Sequence, residues 1–344
     1  MNLSDLSNIY NSFDNSIKTI DSHTAGERTR LIVGGVEEVQ GHTMIEKLNF
    51  FQANYDSIRQ RLTMEPRGHS GVLAAMVTSN VTKDAEFGLI YMDAKRYPYL
   101  CGHATIGAVA SLFKVGILDF KDGKTLIKID TPSGIMEALA DVKNGNMESV
   151  TIKMVPSFVL DTDKTINIEG FGKITADLVY VGGFFAMVSA IETGKNLSLE
   201  NKGFFTDLGM KIIDAANDQL KVFHPERPEV KTVDVVEFYD PENDFNFQGN
   251  NMVIYGESTM DRSPCGTGTA AKLTLLNHKG QLEVDQKFTN FSPLGTSFES
   301  RIIKKEKIGQ FNGIVAEIKG MAQVTGIHDF VLEKSDPFQE GFII

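Results

Sequence analysis

Residues 101–112 read CGHATIGAVASL, and residues 265–276 read CGTGTAAKLTLL. Both stretches begin Cys-Gly-x-x-Thr and continue in small and apolar residues, and Cys101 and Cys265 are the only cysteines in the chain. The likeness extends outward. Fifteen positions after each cysteine comes Gly-x-Leu, as Gly116-Ile117-Leu118 and Gly280-Gln281-Leu282, and each half then has a Pro-x-Gly turn, Thr131-Pro132-Ser133-Gly134 and Ser292-Pro293-Leu294-Gly295. The offset, 265 − 101 = 164, is close to half of the 344 residues. A duplicated architecture explains this economically. The expected fold is α+β with two pseudo-symmetric domains, each a curved sheet wrapped around a central helix, and an active site between them. The expected boundary gives residues 1–155 with Cys101 and residues 156–344 with Cys265, the last ~15 residues packing back on the first domain.

Within each half the small-residue run is the helix. Thr105–Lys114 places Ile106, Ala110 and Phe113 on one face, with Gly116 as its stop, and so much Ala and Gly predicts close packing on all sides. Further helices are expected over Thr43–Arg61 and Phe204–Leu220. Strands are expected at Leu89–Met92, Leu126–Ile129, Val150–Val155, Val233–Tyr239 and Met252–Tyr255, between Gly, Asn and Asp turns.

Composition narrows the partners. The formal net charge is −11, from 34 Lys+Arg against 45 Asp+Glu, and no basic run reverses it, which argues against nucleic acid and an anionic membrane surface. A negative field does nothing to steer a dianion, whereas a zwitterion is indifferent to it, so an amino acid fits better than a sugar phosphate. The longest apolar stretch, Leu178–Ile191, is short of the roughly 20 residues of a membrane span and suits a buried strand and turn. The polar, acidic start MNLSDLSNIYNSFDNS has no apolar core of a secretory signal and reads as a lead-in. No CxxC or HxxxH spacing proposes a metal site, and two cysteines make no disulfide framework, so a reducing, cytoplasmic setting is expected.

Each cysteine directly precedes a helix start, where free N–H groups and the helix dipole favour negative charge, so a thiolate is expected there, and a carboxylate can be held by the same amides. Gly102 and Gly266 let the backbone approach a ligand closely. A lone Cys before Gly is ordinarily a small buried hydrophobe, but two such sites in matching contexts shift the balance toward chemistry. The GTGT run lacks a lysine in P-loop spacing, which weakens a phosphate cradle. A Cys/His/Asp hydrolase needs one nucleophile and leaves the duplication unexplained. A cofactor-free racemase needs two acid/base groups, one on each face of a carbon, and a pseudo-twofold pair of thiols supplies them. His103, two residues after Cys101, and Asp261, four before Cys265, are each able to accept or return a proton.

These residues resemble the proline racemase family, which also contains hydroxyproline 2-epimerases and shares its two-domain fold with diaminopimelate epimerase. The resemblance runs over nearly the whole chain and rests on DSHTAGE at Asp21–Glu27, EPRGH at Glu65–His69, LCGHATIG from Leu100, VGGFFA at Val181–Ala186 and DRSPCGTGT at Asp261–Thr269. It implies Cys101 and Cys265 as paired bases, with Gly102, His103, Gly266 and Thr267 offering amides to the substrate carboxylate. It also implies no cofactor, no metal and a homodimer. Typical racemases have Met where this chain has Leu100. Two phenylalanines that line the proline ring in the family correspond to Leu73 and Tyr255, and a third lining position, often His in hydroxyproline epimerases, is Val235. Related trans-3-hydroxyproline dehydratases carry Thr in place of the second cysteine, so Cys265 favours racemisation or epimerisation. The expected activity is interconversion of L- and D-proline, with 4-hydroxyproline 2-epimerisation as the alternative and a non-catalytic amino-acid-binding protein as the rival from another class. Glu65, Arg67 and His69 are left outside the catalytic set.

Overall fold

Most of the chain is strand, because short runs of β-branched and aromatic residues alternate with Gly- and Asp-containing turns. A computed structural model describes residues 16–256 and 259–344, so the lead-in at 1–15 lies outside the described residues. The first half runs β1 (Ser16–Thr24), β2 (Glu27–Gly34), α1 (Met44–Thr63), β3 (Leu73–Thr78), β4 (Phe87–Met92), α2 (Gly102–Lys114), β5 (Gly123–Thr131), β6 (Gly134–Lys143) and β7 (Asn146–Lys153). The second runs β8 (Ser157–Ile168), β9 (Gly172–Tyr180), β10 (Phe184–Ser189), α3 (Lys202–Gln219), β11 (Val233–Asp240), β12 (Gln248–Tyr255), β13 (Thr259–Met260), α4 (Gly266–His278), β14 (Lys287–Phe291), β15 (Ser297–Ile308), β16 (Phe311–Gly320) and β17 (Ala322–Val331).

The halves repeat one pairing scheme. In the first, β2 is parallel to β3 and β4 to β5, across α1 and α2; in the second, β10 is parallel to β11 and β12 to β14, across α3 and α4. The strands before and after these crossovers pair antiparallel in both halves. The match includes the outermost strand: β8 pairs with β9, and β17, arriving from the far end of the chain, pairs with β1 from Ser16 opposite Val331 to Thr24 opposite Ala322. Strand β16 joins the halves, pairing with β7 through Glu317 opposite Lys153 and with β8 through Gly313 opposite Phe158.

Helices α2 and α4 are the centres of their sheets. From Gly102 to Leu112 every residue of α2 is buried, and α4 is buried over the matching stretch apart from Thr267. A helix enclosed on all sides has room only for small residues where strands cross it. Gly107 shows the reason: a Cβ there would lie 3.1 Å from Thr29 Oγ1 and 3.2 Å from Ser22 Oγ. Both helices end alike. Val115 N donates to Ser111 O and Lys279 N to Leu275 O, after which Gly116 (φ +75°) and Gly280 (φ +70°) take the left-handed turn that glycine adopts without steric cost.

The other helices begin and end close to expectation. Thr43 caps α1, accepting from Glu46 N at 3.1 Å while Glu46 accepts from His42 N at 2.7 Å. The helix runs past Arg61 to Thr63 and is interrupted at Tyr55 (φ −132°). Helix α3 starts two residues earlier than Phe204, and Leu178–Ile191 forms the end of β9, a turn, β10 and the start of the 3-10 turn Ala190–Thr193. Among the described residues no helix is long and apolar enough to cross a membrane.

Candidate active site

The N-termini of α2 and α4 point at each other. Gly102 and Gly266 meet where the two halves face, and a Cβ on Gly266 would lie 3.4 Å from Gly102 Cα. At this junction opens a cavity of about 490 Å³. Its walls include all ten candidate catalytic and substrate-binding residues: Cys101, Gly102, His103, Asp261, Cys265, Gly266 and Thr267 beside the helix starts, with Leu73, Val235 and Tyr255 from β3, β11 and β12.

Cys101 caps α2 in extended backbone (φ −148°), and its sulfur lies 3.4 Å from His103 Nδ1. Thr24 Oγ1 donates to the His103 carbonyl at 2.8 Å, tying that turn to β1. Burial lowers the His103 pKa, with Asp261 opposing it, which favours the neutral ring. Cys265 caps α4 at φ +59°; its sulfur accepts from Gly268 N at 3.3 Å and touches Thr267 Oγ1 at 3.3 Å. His103 and Thr267 are thus counterparts, each two residues beyond its cysteine and each against its sulfur. Asp261 reaches Cys265 through Ser263: Oδ1 accepts from Ser263 N and Oγ, both at 2.8 Å, and Ser263 Oγ accepts from Cys265 N at 3.0 Å.

The expected pull of the helix starts toward thiolate is opposed by burial. Burial pushes both thiols well above the ordinary cysteine range, and the negative charge of Asp261 adds to it. The nearby N–H groups, Ala104 for Cys101 and Gly268 for Cys265, pull the other way but are outweighed. A local effect legible in sequence loses to desolvation, which only the assembled fold determines.

A sequence model of the proline racemase family matches residues 19–343. The chain belongs to the proline racemase family. It is 38% identical over 332 residues to a proline racemase of Clostridioides difficile, spanning 96% of this chain and 99% of that one. It is 36% identical over 325 residues to a 4-hydroxyproline 2-epimerase of Streptosporangium roseum, spanning 94% and 97%. Among solved structures it superposes on a hydroxyproline epimerase from Agrobacterium vitis, with bound trans-4-hydroxy-L-proline, at a TM-score of 0.88, 26% identity and 96% coverage of both chains.

In this proline racemase family member the motif at 21–27 has a structural part that its spacing does not announce. Glu27, fully buried on β2, accepts from Arg262 N at 2.6 Å and from its guanidinium at 3.2 Å, joining the first half to the loop that carries Asp261. Burial, with Asp261 adding to it, raises the Glu27 pKa to about 8 despite the Arg262 contact. Its partner stands 235 residues away, so no local pattern could reveal the pair. Arg96 and Asp234 also line the cavity; burial raises the Asp234 carboxyl, which accepts from Thr232 Oγ1 at 3.1 Å. Glu65, Arg67 and His69 do not line it. Arg67 binds Asp336 and the Phe338 carbonyl, and Glu65 bridges to Phe342, so this motif anchors the C-terminal segment.

Proposed function

We propose that this isomerase interconverts the L and D forms of proline without a cofactor, using Cys101 and Cys265 as the acid/base pair. The observation that carries the reading is one cavity walled by both cysteines, each capping a helix whose N-terminus faces that of the other. One sulfur, as thiolate, takes the α-proton; the C–H bond breaks and its electrons delocalise into the carboxylate. The other thiol gives its proton to the opposite face, leaving the enantiomer bound and the roles of the sulfurs exchanged. The amides of Gly102, His103, Gly266 and Thr267, at two converging helix N-termini, hold the carboxylate as its charge grows.

Burial holds both thiols above the ordinary cysteine range, and the reaction needs one of the two protons to leave the pair. On the Cys101 side the group in contact with the sulfur is His103, with Nδ1 at 3.4 Å; on the other, Thr267 Oγ1 lies 3.3 Å from the Cys265 sulfur, while Asp261 holds the Cys265 backbone N–H through Ser263 and acts on the thiol by its charge. Leu73, Val235 and Tyr255 shape the ring pocket. A homodimer in the cytoplasm is part of the same reading, supported by the family and by two free, buried thiols.

The alternative substrate is 4-hydroxyproline, favoured by the Tyr255 hydroxyl and by polar Asp234 on the same cavity wall. Side-by-side kcat/KM for L-proline and trans-4-hydroxy-L-proline separates the two. Proline ahead by tenfold or more, about the discrimination expected from one polar contact, supports the racemase; the reverse order assigns the epimerase. Turnover of neither, with α-deuterium exchange also missing, would leave an amino-acid-binding protein.

A further inference from the structure

Cys265 is held in a backbone conformation that L side chains rarely adopt, φ +59° and ψ 117°. The peptide joining it to Pro264 is gripped on both sides. The Pro264 carbonyl accepts from Asn251 Nδ2 at 2.9 Å, Thr269 Oγ1 at 3.1 Å and Asn290 Nδ2 at 3.3 Å. The N–H of the same peptide donates to Ser263 Oγ at 3.0 Å.

Asn251, Thr269 and Asn290 come from β12, α4 and β14 and are all essentially buried, at 1%, 0% and 0% exposure. They also brace one another. Asn290 Nδ2 donates to Thr269 Oγ1 at 2.9 Å, and the remaining N–H of Asn251 goes to Glu237 Oε1 at 3.1 Å. A carbonyl oxygen offers two lone pairs, so three donors exceed what satisfying it requires. Burying two amides carries a desolvation cost, and here each directs an N–H to the same carbonyl. The other half shows what happens without that need. Cys101 sits in ordinary extended backbone, and Thr105, the counterpart of Thr269, donates at 2.8 Å to the carbonyl of Cys101 itself.

The geometry points to Asn251, Asn290 and Thr269 as positioning residues: their clamp on the Pro264 carbonyl keeps Cys265 in its left-handed conformation and its sulfur facing the cavity. Released from the clamp, the peptide relaxes toward extended backbone and swings the sulfur away from the substrate. The inference rests on the two-thiol reading, in which each cysteine removes the α-proton of one enantiomer only.

The test uses α-deuterium wash-in from D2O, followed separately for L- and D-proline at early times in Asn290→Ala, Asn251→Ala and the near-isosteric Thr269→Val. Cys101→Ser and Cys265→Ser provide the references, each losing exchange for one enantiomer and the two losing opposite ones. The clamp variants should lose exchange roughly tenfold to a hundredfold for the enantiomer lost by Cys265→Ser, with the other enantiomer changed by no more than about twofold. General loosening of the fold lowers both equally, and that outcome, or a loss following Cys101→Ser, overturns the clamp. If the two Cys→Ser variants fail to show opposite losses, the two-thiol reading fails instead. Peptide-mapped iodoacetamide labelling then decides the clamp: a changed rate at Cys265 with Cys101 unaltered supports it, and unchanged rates at both remove it.

Discussion

The Cys101 and Cys265 halves share strand order, crossover helices, helix ends and a cysteine cap, yet hold their thiols differently. Cys101 rests in relaxed backbone beside an imidazole; Cys265 sits at positive φ beside a hydroxyl. Duplication therefore supplied the placement of two sulfurs about one axis, and local chemistry was adjusted separately on each side. A racemase tolerates this because its overall equilibrium is fixed by the enantiomers and not by the likeness of its bases. The strained conformation at Cys265, worth on the order of 1–3 kcal/mol, is the asymmetric expense of that arrangement.

The sharpest way to break the comparison is to remove one sulfur. Cys101→Ser and Cys265→Ser should each lower racemisation by roughly 10²–10⁴-fold, because a hydroxyl is a far weaker acid than a thiol. Near-normal L-to-D turnover in either, measured by polarimetry, would show that the two sites do not act as a pair. Next in size is the pH response. Both thiols are raised, so kcat/KM should climb as pH rises through the first macroscopic ionisation, above the ordinary cysteine range, and fall when the second proton leaves. A profile flat from neutral pH upward would contradict the buried-thiol picture.

The contrast between His103 and Thr267 is sharpened by changing one at a time. His103→Gln should cost about tenfold in kcat and move the acid limb of the profile, since it removes the imidazole in contact with the Cys101 sulfur. Thr267→Val, which removes a hydroxyl contact and leaves the backbone amide, should cost only a few-fold with that limb in place. Equal effects of the two on the acid limb would make the halves chemically alike after all. The smallest effect expected is on stability, through Glu27. Its pKa is raised from 4.5 to about 8 in the fold, so its stabilising contribution is complete below 4.5 and lost as pH rises toward 8. Glu27→Gln should flatten that loss, visible as a Tm that falls less between pH 5 and 8, by a few degrees at roughly 1–2 °C per kcal/mol. An unchanged slope would put Glu27 in the ionised state throughout.

Much of this site was legible because its signals are local. A Cys-Gly cap, a run of small residues and a terminal Gly recur at fixed spacing, and each has a direct backbone cause. What escaped is held at long range. Glu27 against Arg262, and Asn251 and Asn290 on Pro264, are contacts between elements whose proximity depends on the whole sheet order. The state of the thiols escaped for the same reason. A helix start can be read from a few residues, whereas burial of a sulfur is decided by β3, β11 and β12 arriving from elsewhere.

The pairing of β17 with β1 carries a consequence for biogenesis. Val331 lies opposite Ser16, a separation of 331 − 16 = 315 residues. While the chain is being synthesised, the first half therefore waits with the edge of β1 bare until the final strand leaves the ribosome. Such an edge invites pairing with another nascent copy. Closure of this fold is a late, high-contact-order event that falls on one strand pair.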